Sequence, residues 1–357
     1  MTTVSSSPHV HDSLTTPKAM FYVLCALLPA ALWGVFVFGF RALLVLVVSV
    51  AASLLTEYLL GLASREKTLL DFSAAVTGLL VGMNMPPQVP LYIPVIASAF
   101  AIAVVKWTFG GLGCNWANPA IAGRIFVFFS FTSGMSTFSL PRTLAVDSMT
   151  GATILSTVKT AIAGGAASGL TYDEVLAQSG MLTSSIADKI SSAIPFLSPY
   201  EIDAFIGNVG GCIGEVSALL LLAGGIFLIA KKIITWHIPT VYLGSFALLS
   251  WIFGGCPRGL GLFHGEILLP LLSGGLFLGA FFMATDWVTT PTTVKGQVIF
   301  AVGCGFFTFL IRYFGSLPEG VSLAILLMNI LSPTIERYVK PRKFGYVKPE
   351  KKTEVKA

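Results

Sequence analysis

Apolar residues run along this chain in long unbroken stretches, such as Ala42 to Leu55, that are interrupted by Gly, Pro and charged clusters. A helix that crosses a membrane needs roughly 20 mostly apolar residues. Reading the runs against their breakers predicts spans near 20–38, 42–60, 69–85, 90–109, 118–131, 208–230, 238–255, 261–284, 297–314 and 320–335. Nothing alternates with the period of two that marks the ~10-residue segments of a membrane barrel. The expected fold is an all-α polytopic membrane protein with about ten transmembrane helices.

The longest polar interruption, 132–207, is rich in Ser, Thr, Gly and Asp and separates five predicted spans from five. Because five is odd, the second set runs through the membrane in the opposite sense, which is the arithmetic of two inverted five-helix repeats. Gly-Met-Asn-Met-Pro-Pro (82–87) ends the third span and Asp-Trp-Val-Thr-Thr-Pro (286–291) ends the eighth, so both are expected to be interrupted. The pattern divides the chain into a head (1–19), a first repeat (20–131), an outer loop (132–207), a second repeat (208–335) and a basic tail (336–357).

Composition sharpens this picture. Hydrophobic residues make up 55% and charged residues 11%, against about 25% charged in soluble domains, which excludes a soluble globular protein. The net charge of +5 gathers between Arg337 and Lys356 instead of along a groove. That argues against nucleic-acid binding and for a tail resting on anionic lipid or a cytoplasmic partner. With the tail in the cytoplasm, alternation places 16 of the 22 Lys and Arg on or near the inner side. Both termini are then cytoplasmic and the 132–207 loop lies outside. The stretch after the head is too long for a signal-peptide core, so the head is expected to stay attached. The cysteines Cys25, Cys114, Cys212, Cys256 and Cys304 lie at least 40 residues apart and read as packing residues, with no metal site implied.

Carboxylates in or beside apolar spans are costly and usually functional. Here they are Glu57, Asp71, Glu215, Glu266 and Asp286. Their oxygens suit a path for sodium or protons. They suit equally well interhelical pairs with Arg124, Arg258 or Arg312, and sequence leaves both readings open.

Within the outer loop stands Asp147-Ser-Met-Thr-Gly-Ala-Thr153. A turn or helix cap would account for its first half. The whole segment resembles the flavinylation site of the Rnf and Nqr respiratory complexes. That resemblance implies that a separate flavin transferase joins the phosphate of FMN to Thr153, within a site formed by Asp147, Thr150, Gly151 and Ala152. A Thr hydroxyl is a weak nucleophile that needs a positioned base. The four histidines (His9, His11, His237, His264) are all far off in sequence, which favours an external enzyme over self-modification.

Further segments resemble the same family, in its order: Phe109-Gly-Gly-Leu-Gly-Cys-Asn-Trp-Ala-Asn-Pro-Ala120, Gly207 to Glu215, Met283 to Pro291 and Glu319 to Asn329. The sisters in the family are the D-type component of the Rnf ferredoxin:NAD oxidoreductase and the B-type component of the sodium-translocating NADH:quinone reductase. The B type usually carries a longer N-terminal extension, so the Rnf D type is the better match. The resemblance implies an electron-transfer subunit of an ion-translocating oxidoreductase in the bacterial plasma membrane, with covalent FMN and a second, non-covalent flavin, riboflavin. The implied partners are the A, B, C, E and G components of the Rnf complex, with the FMN-bearing G component nearest. The chain carries no nucleotide-binding fingerprint and no iron–sulfur cysteine pattern, so it is not catalytically complete alone. A solute channel with inverted repeats fits the spans equally well but gives no reason for the Thr153 segment, and a plain membrane anchor predicts no chromophore.

Overall fold

The computed structural model describes residues 14–65, 69–144, 151–317 and 319–340. Asp147 and Thr150 lie outside the described residues. Proline and glycine set the first boundaries. Helix α1 (Thr16–Phe38) has Pro17 in its first turn and stops at Gly39, whose φ of 81° reverses the chain directly into α2 (Phe40–Ser64). Asp71 Oδ1 accepts from the Ser73 amide at 2.8 Å and its hydroxyl at 2.6 Å, fixing the entry to α3 (Ser73–Met83). That helix is only 11 residues long and gives way to Asn84-Met85-Pro86. Helix α4 (Tyr92–Trp107) loosens into a π-helix from Ala101. Asn118 then caps α5 (Pro119–Ser130), with Pro119 at the position where its missing N–H costs nothing.

The polar stretch expected to be a loop folds into short helices: α6 (Ile154–Ala163), α7 (Tyr172–Gln178), α8 (Ser185–Ala193) and α9 (Pro199–Ile206). Each begins at a capping hydroxyl, from Thr153, Thr171, Ser184 and Ser198. Thr171 with Glu174 and Ser198 with Glu201 form reciprocal capping boxes. These helices close over their own small core of Ile154, Val158, Tyr172, Val175 and Leu176, to which the membrane part adds Leu269.

Residues 208–217, expected within the sixth span, are not helical. Instead the Ile213 and Gly214 amides donate to the carbonyls of Met85 (3.1 Å) and Met83 (2.7 Å), pairing this segment with the broken end of α3. A Cβ on Gly214 would lie 2.5 Å from Met83 Cβ, so only glycine permits the approach. Helix α10 (Ala218–Ala230) follows, then α11 (His237–Phe253). The eighth expected span is in pieces: α12 (Leu268–Leu272), then α13 (Leu276–Leu278) running on into a π-helical turn, Gly279–Met283. Helices α14 (Val294–Tyr313) and α15 (Val321–Tyr338) complete the described fold.

The described residues contain no strand, so the fold is all-α. Among them, four helices are long and apolar enough to cross a membrane: Thr16–Phe38, Phe40–Ser64, His237–Arg258 and Val294–Tyr313. Others of the expected spans are shorter apolar helices: Ser73–Met83, Tyr92–Trp107, Pro119–Ser130 and Ala218–Ala230. Their freed backbone groups sit inside protein, where irregular backbone is tolerated at membrane depth. The interior is continuous through both halves, from Leu27, Val45 and Met83 to Tyr242, Phe246 and Phe300.

Candidate functional site

Thr153 is the N-cap of α6. Its Oγ1 accepts the Ser156 amide at 3.2 Å and donates to Ser156 Oγ at 3.0 Å, while Ser156 Oγ donates back to the Thr153 carbonyl at 2.9 Å. The preceding residues are held flat against the chain: the Gly151 amide donates to the Phe138 carbonyl at 3.1 Å. A Cβ at Gly151 would meet the Leu140 side chain at 2.7 Å. Thr153 is 5% exposed. A phosphate esterified here would sit at a helix N-terminus, where free amides and the helix dipole favour an anion.

A cavity of about 330 Å³ is lined by the two neighbours of Thr153, Ala152 and Ile154, and by Leu140, Thr157, Met181, Tyr200 and Asp203 among others; Thr153 itself is not one of its walls. Its volume falls in the range of small-molecule sites, and its walls are mostly apolar with a few polar groups. Asp203 accepts from the Ser184 amide and hydroxyl, and burial pushes its carboxyl above the ordinary aspartate range despite those bonds. A much smaller cavity, about 10 Å³, connects Thr153 with Glu215, Ser273 and Glu319.

Below it lies a buried charge cluster centred on Arg124 of α5. The guanidinium pairs with Glu215 at 3.2 Å and Glu319 at 2.8 Å, and also donates to Asn84 Oδ1 (2.9 Å) and Ser322 Oγ (2.8 Å). Ligand atoms of Cys212, Glu215 and Glu319 lie within 4.8 Å of one another, with the Arg124 guanidinium as the cation among them. Among the described residues, Glu215 Oε2 and Ser273 Oγ have no hydrogen-bond partner.

The other acidic candidates lie apart. Glu57 of α2 forms a fully buried pair with Lys106 of α4 (2.8 Å), and Lys106 also donates to Ser73 Oγ (2.8 Å) and Trp107 Nε1 to Glu57 (3.0 Å). Asp71 caps α3. Asp286 accepts from Asn115 Nδ2 (3.3 Å) and Thr289 Oγ1 (3.2 Å). Glu266 sits in the turn before α12, where it pairs with Arg258 (2.9 Å) and accepts the Tyr172 amide (2.8 Å); Arg258 also lies 4.2 Å over the Tyr172 ring. Glu266 therefore clasps the outer helices to the membrane part.

A second large cavity, about 350 Å³, lies at the opposite end of the broken helices from Thr153. Lys106, Asn115, Asn118, Phe281, Asp286 and Trp287 are among its walls. Asn118 Nδ2 donates to the Met283 carbonyl at 3.2 Å, tying α5 to the π-helical turn. Sequence reasoning missed Lys106 and Glu319 as partners; the signal available was an ionisable residue within an apolar run or at its edge. Of the cysteines expected to be packing residues, Cys212 and Cys304 are buried, whereas Cys114 and Cys256 are exposed in the loops before α5 and α12.

The profile of the NQR2, RnfD, RnfE family matches residues 3–345. The chain belongs to this family. It is 42% identical over 344 residues to the D component of the Clostridium ljungdahlii proton-translocating ferredoxin:NAD(+) oxidoreductase complex, covering 96% of both chains. It is 41% identical over 353 residues to the D component of the Acetobacterium woodii Na(+)-translocating ferredoxin:NAD(+) oxidoreductase complex, covering 98% of this chain and 97% of that one. The D component of the Stutzerimonas stutzeri ion-translocating oxidoreductase complex is 40% identical over 338 residues, 92% of each. The first two names carry different ions at nearly equal identity, so overall likeness favours neither ion.

The family-like segments of the sequence converge at the helix breaks. Residues 109–120 lead into α5, 207–215 pair with the end of α3, 283–291 leave the π-helical turn, and Glu319 precedes α15. Asn118–Met283 joins the first of these segments to the third, while Gly214 pairs with Met83 at the end of α3 and Glu319 with Arg124 of α5.

Proposed function

We propose that this chain is the D-type membrane component of an Rnf-type complex, coupling electron flow between ferredoxin and NAD to sodium or proton translocation, with FMN held covalently on Thr153. The observation that carries this reading is Thr153 itself: a helix-capping hydroxyl, inside the family's motif, whose neighbours Ala152 and Ile154 line a cavity of about 330 Å³. Bound FMN would supply one- and two-electron transfer. The chain's own groups do the rest. The amides of the α6 N-terminus, among them that of Ser156, would hold the phosphate, and Tyr200, Met181 and Leu140 would line the space for the ring. The Arg258–Glu266 clasp fixes the outer helices over the membrane part.

We assign the non-covalent riboflavin to the cavity of about 350 Å³. It combines apolar ring surfaces of Phe281 and Trp287 with the polar groups of Asn115, Asn118 and Asp286. On this reading both termini and that cavity face the cytoplasm and Thr153 faces outward. Electrons pass from the G component at the outer face back toward the cytoplasmic partners, with the A, B, C and E components completing the complex. A flavin transferase supplies the FMN, and the two halves of the chain are inverted five-helix repeats with breaks at α3 and α13. Glu215 is the strongest ion-path candidate, because its Oε2 is buried without a hydrogen-bond partner among the described residues; Glu57, Asp71, Asp286 and Glu266 are engaged in the contacts described above.

Mass spectrometry of the Thr153-containing peptide, from chain produced with an active transferase, tests the reading. It predicts a peptide heavier by FMN less one water, and an unmodified peptide would oppose it. The quinone-reductase B type is distinguished by whether the purified complex reduces quinone or NAD.

A further inference from the structure

The closed outer helices leave the modification residue where no enzyme can use it. Thr153 is 5% exposed. Its hydroxyl proton is given to Ser156 Oγ at 3.0 Å and its oxygen accepts the Ser156 amide at 3.2 Å, so the nucleophile is both covered and engaged as a cap. The Gly151 amide donates to the Phe138 carbonyl, and its backbone lies close to the Leu140 side chain, so residues 151–153 are tied to 138–140. On the next turn, Ile154 and Val158 are buried against Leu176 of α7 and Leu269 of α12. On another side of α6, Lys159 Nζ donates to the carbonyls of Ile311, Arg312 and Leu317 at the end of α14. Burial, and then the charge of Arg312, push that ammonium below the ordinary lysine range.

We infer that Thr153 is modified before α6 docks onto α7 and the end of α14, and that docking then shuts the site to the transferase. This rests on the reading that Thr153 carries FMN. The step needs an activated flavin phosphoanhydride. Thr153 Oγ1 forms a bond to phosphorus, the anhydride P–O bond breaks, the nucleotide leaving group departs, and the hydroxyl proton passes to a base of the transferase. No redox change occurs. For phosphorus to reach the oxygen, the cap must open, and with it the α6 packing. Once the ester exists, the Ser156 amide can donate to a phosphate oxygen instead, so an anion at the α6 N-terminus favours closure after modification.

The test uses the full chain made by cell-free synthesis into lipid nanodiscs, with covalent flavin read as fluorescence that survives SDS. In one arm transferase and flavin donor are present during synthesis; in the other they are added after insertion is complete. Modification of a closed site is scaled by its open fraction, so the second arm should be on the order of tenfold slower or more. Two variants outside the motif loosen the docked state from different sides: Leu176→Ala and Lys159→Met. Each should raise the late-addition rate about tenfold or more, in parallel with faster limited proteolysis of the outer helices. Equal rates in the two arms for the unaltered chain would overturn the inference. So would variants that open to protease without faster modification. If neither arm acquires flavin while the transferase modifies a control protein, the parent reading of Thr153 fails instead.

Discussion

The buried Glu57–Lys106 pair offers a quantitative test of how this membrane part is held together. The two side chains are 0% and 3% exposed and meet at 2.8 Å, with Ser73 and Trp107 completing the cluster. Removing one partner leaves a buried charge without its counter-ion, which costs about 3–5 kcal/mol, whereas replacing both with neutral groups of similar size is often close to neutral. Glu57→Gln and Lys106→Met should each therefore destabilise strongly, and the double variant should recover most of the loss. With an unfolding entropy of about 2.1 cal/mol/K per residue, 1 kcal/mol moves the melting temperature of a 357-residue chain by about 1.3 °C, so each single variant should melt about 4–7 °C below wild type. Tryptophan-fluorescence melting in one detergent at fixed protein concentration reads this directly, with Trp107 at the site. Single variants within about 2 °C of wild type, or a double variant as unstable as the two losses summed, would refute the pairing argument. A Glu57→Gln chain that melts normally but no longer moves ions in the assembled complex would instead place Glu57 on the ion path.

Three further outcomes follow from other parts of the molecule. Thr153→Val should cost the outer helices about 1 kcal/mol even without a transferase, because the α6 cap is lost, and Thr153→Ser should not; hydrogen exchange of the Leu155–Val158 amides measures this. Burial holds the carboxyls of Asp173, Glu201 and Asp203 above their ordinary range in the folded state. Folded protein thus binds their protons more tightly, so their contribution is fully present below the unfolded values near ~4 and is lost as pH rises through the folded ones. Glu174, held low by its bonds to Thr171, opposes them. Limited proteolysis of the outer helices should accordingly be slower at about pH 4.5 than at about pH 7, and the reverse order would contradict the assignment. The exposed cysteines provide native reporters of orientation: an impermeant maleimide should reach Cys256 from outside and Cys114 only from the cytoplasmic side.

Much of this architecture is legible in the residues. Pro17, Gly39, Asn118-Pro119 and the Pro86 and Pro291 breaks mark helix ends by backbone chemistry that operates locally. Thr171-x-x-Glu174 and Ser198-x-x-Glu201 are capping boxes that can be read in advance, yet the outer stretch reads as loop because its polarity hides a core of only a few side chains. Residues 208–217 are apolar enough to pass for helix. What holds them in turns instead of a helix is the pairing of Ile213 and Gly214 with Met85 and Met83, some 130 positions earlier, which no local signal carries. The same holds for Arg124, whose partners Glu215 and Glu319 come from two distant segments. Thr153 is recognisable by its motif, but its burial depends on distant neighbours such as Val209, Gly210, Ser273 and Gly274.

We propose that Thr153 carries covalent FMN. The most direct measurement is to express the full chain with a flavin transferase, denature it in SDS, and compare in-gel flavin fluorescence for wild type and Thr153→Ala. A fluorescent wild-type band that disappears in Thr153→Ala is the predicted result. A dark wild-type band, alongside a control protein that the same transferase has labelled, would contradict it.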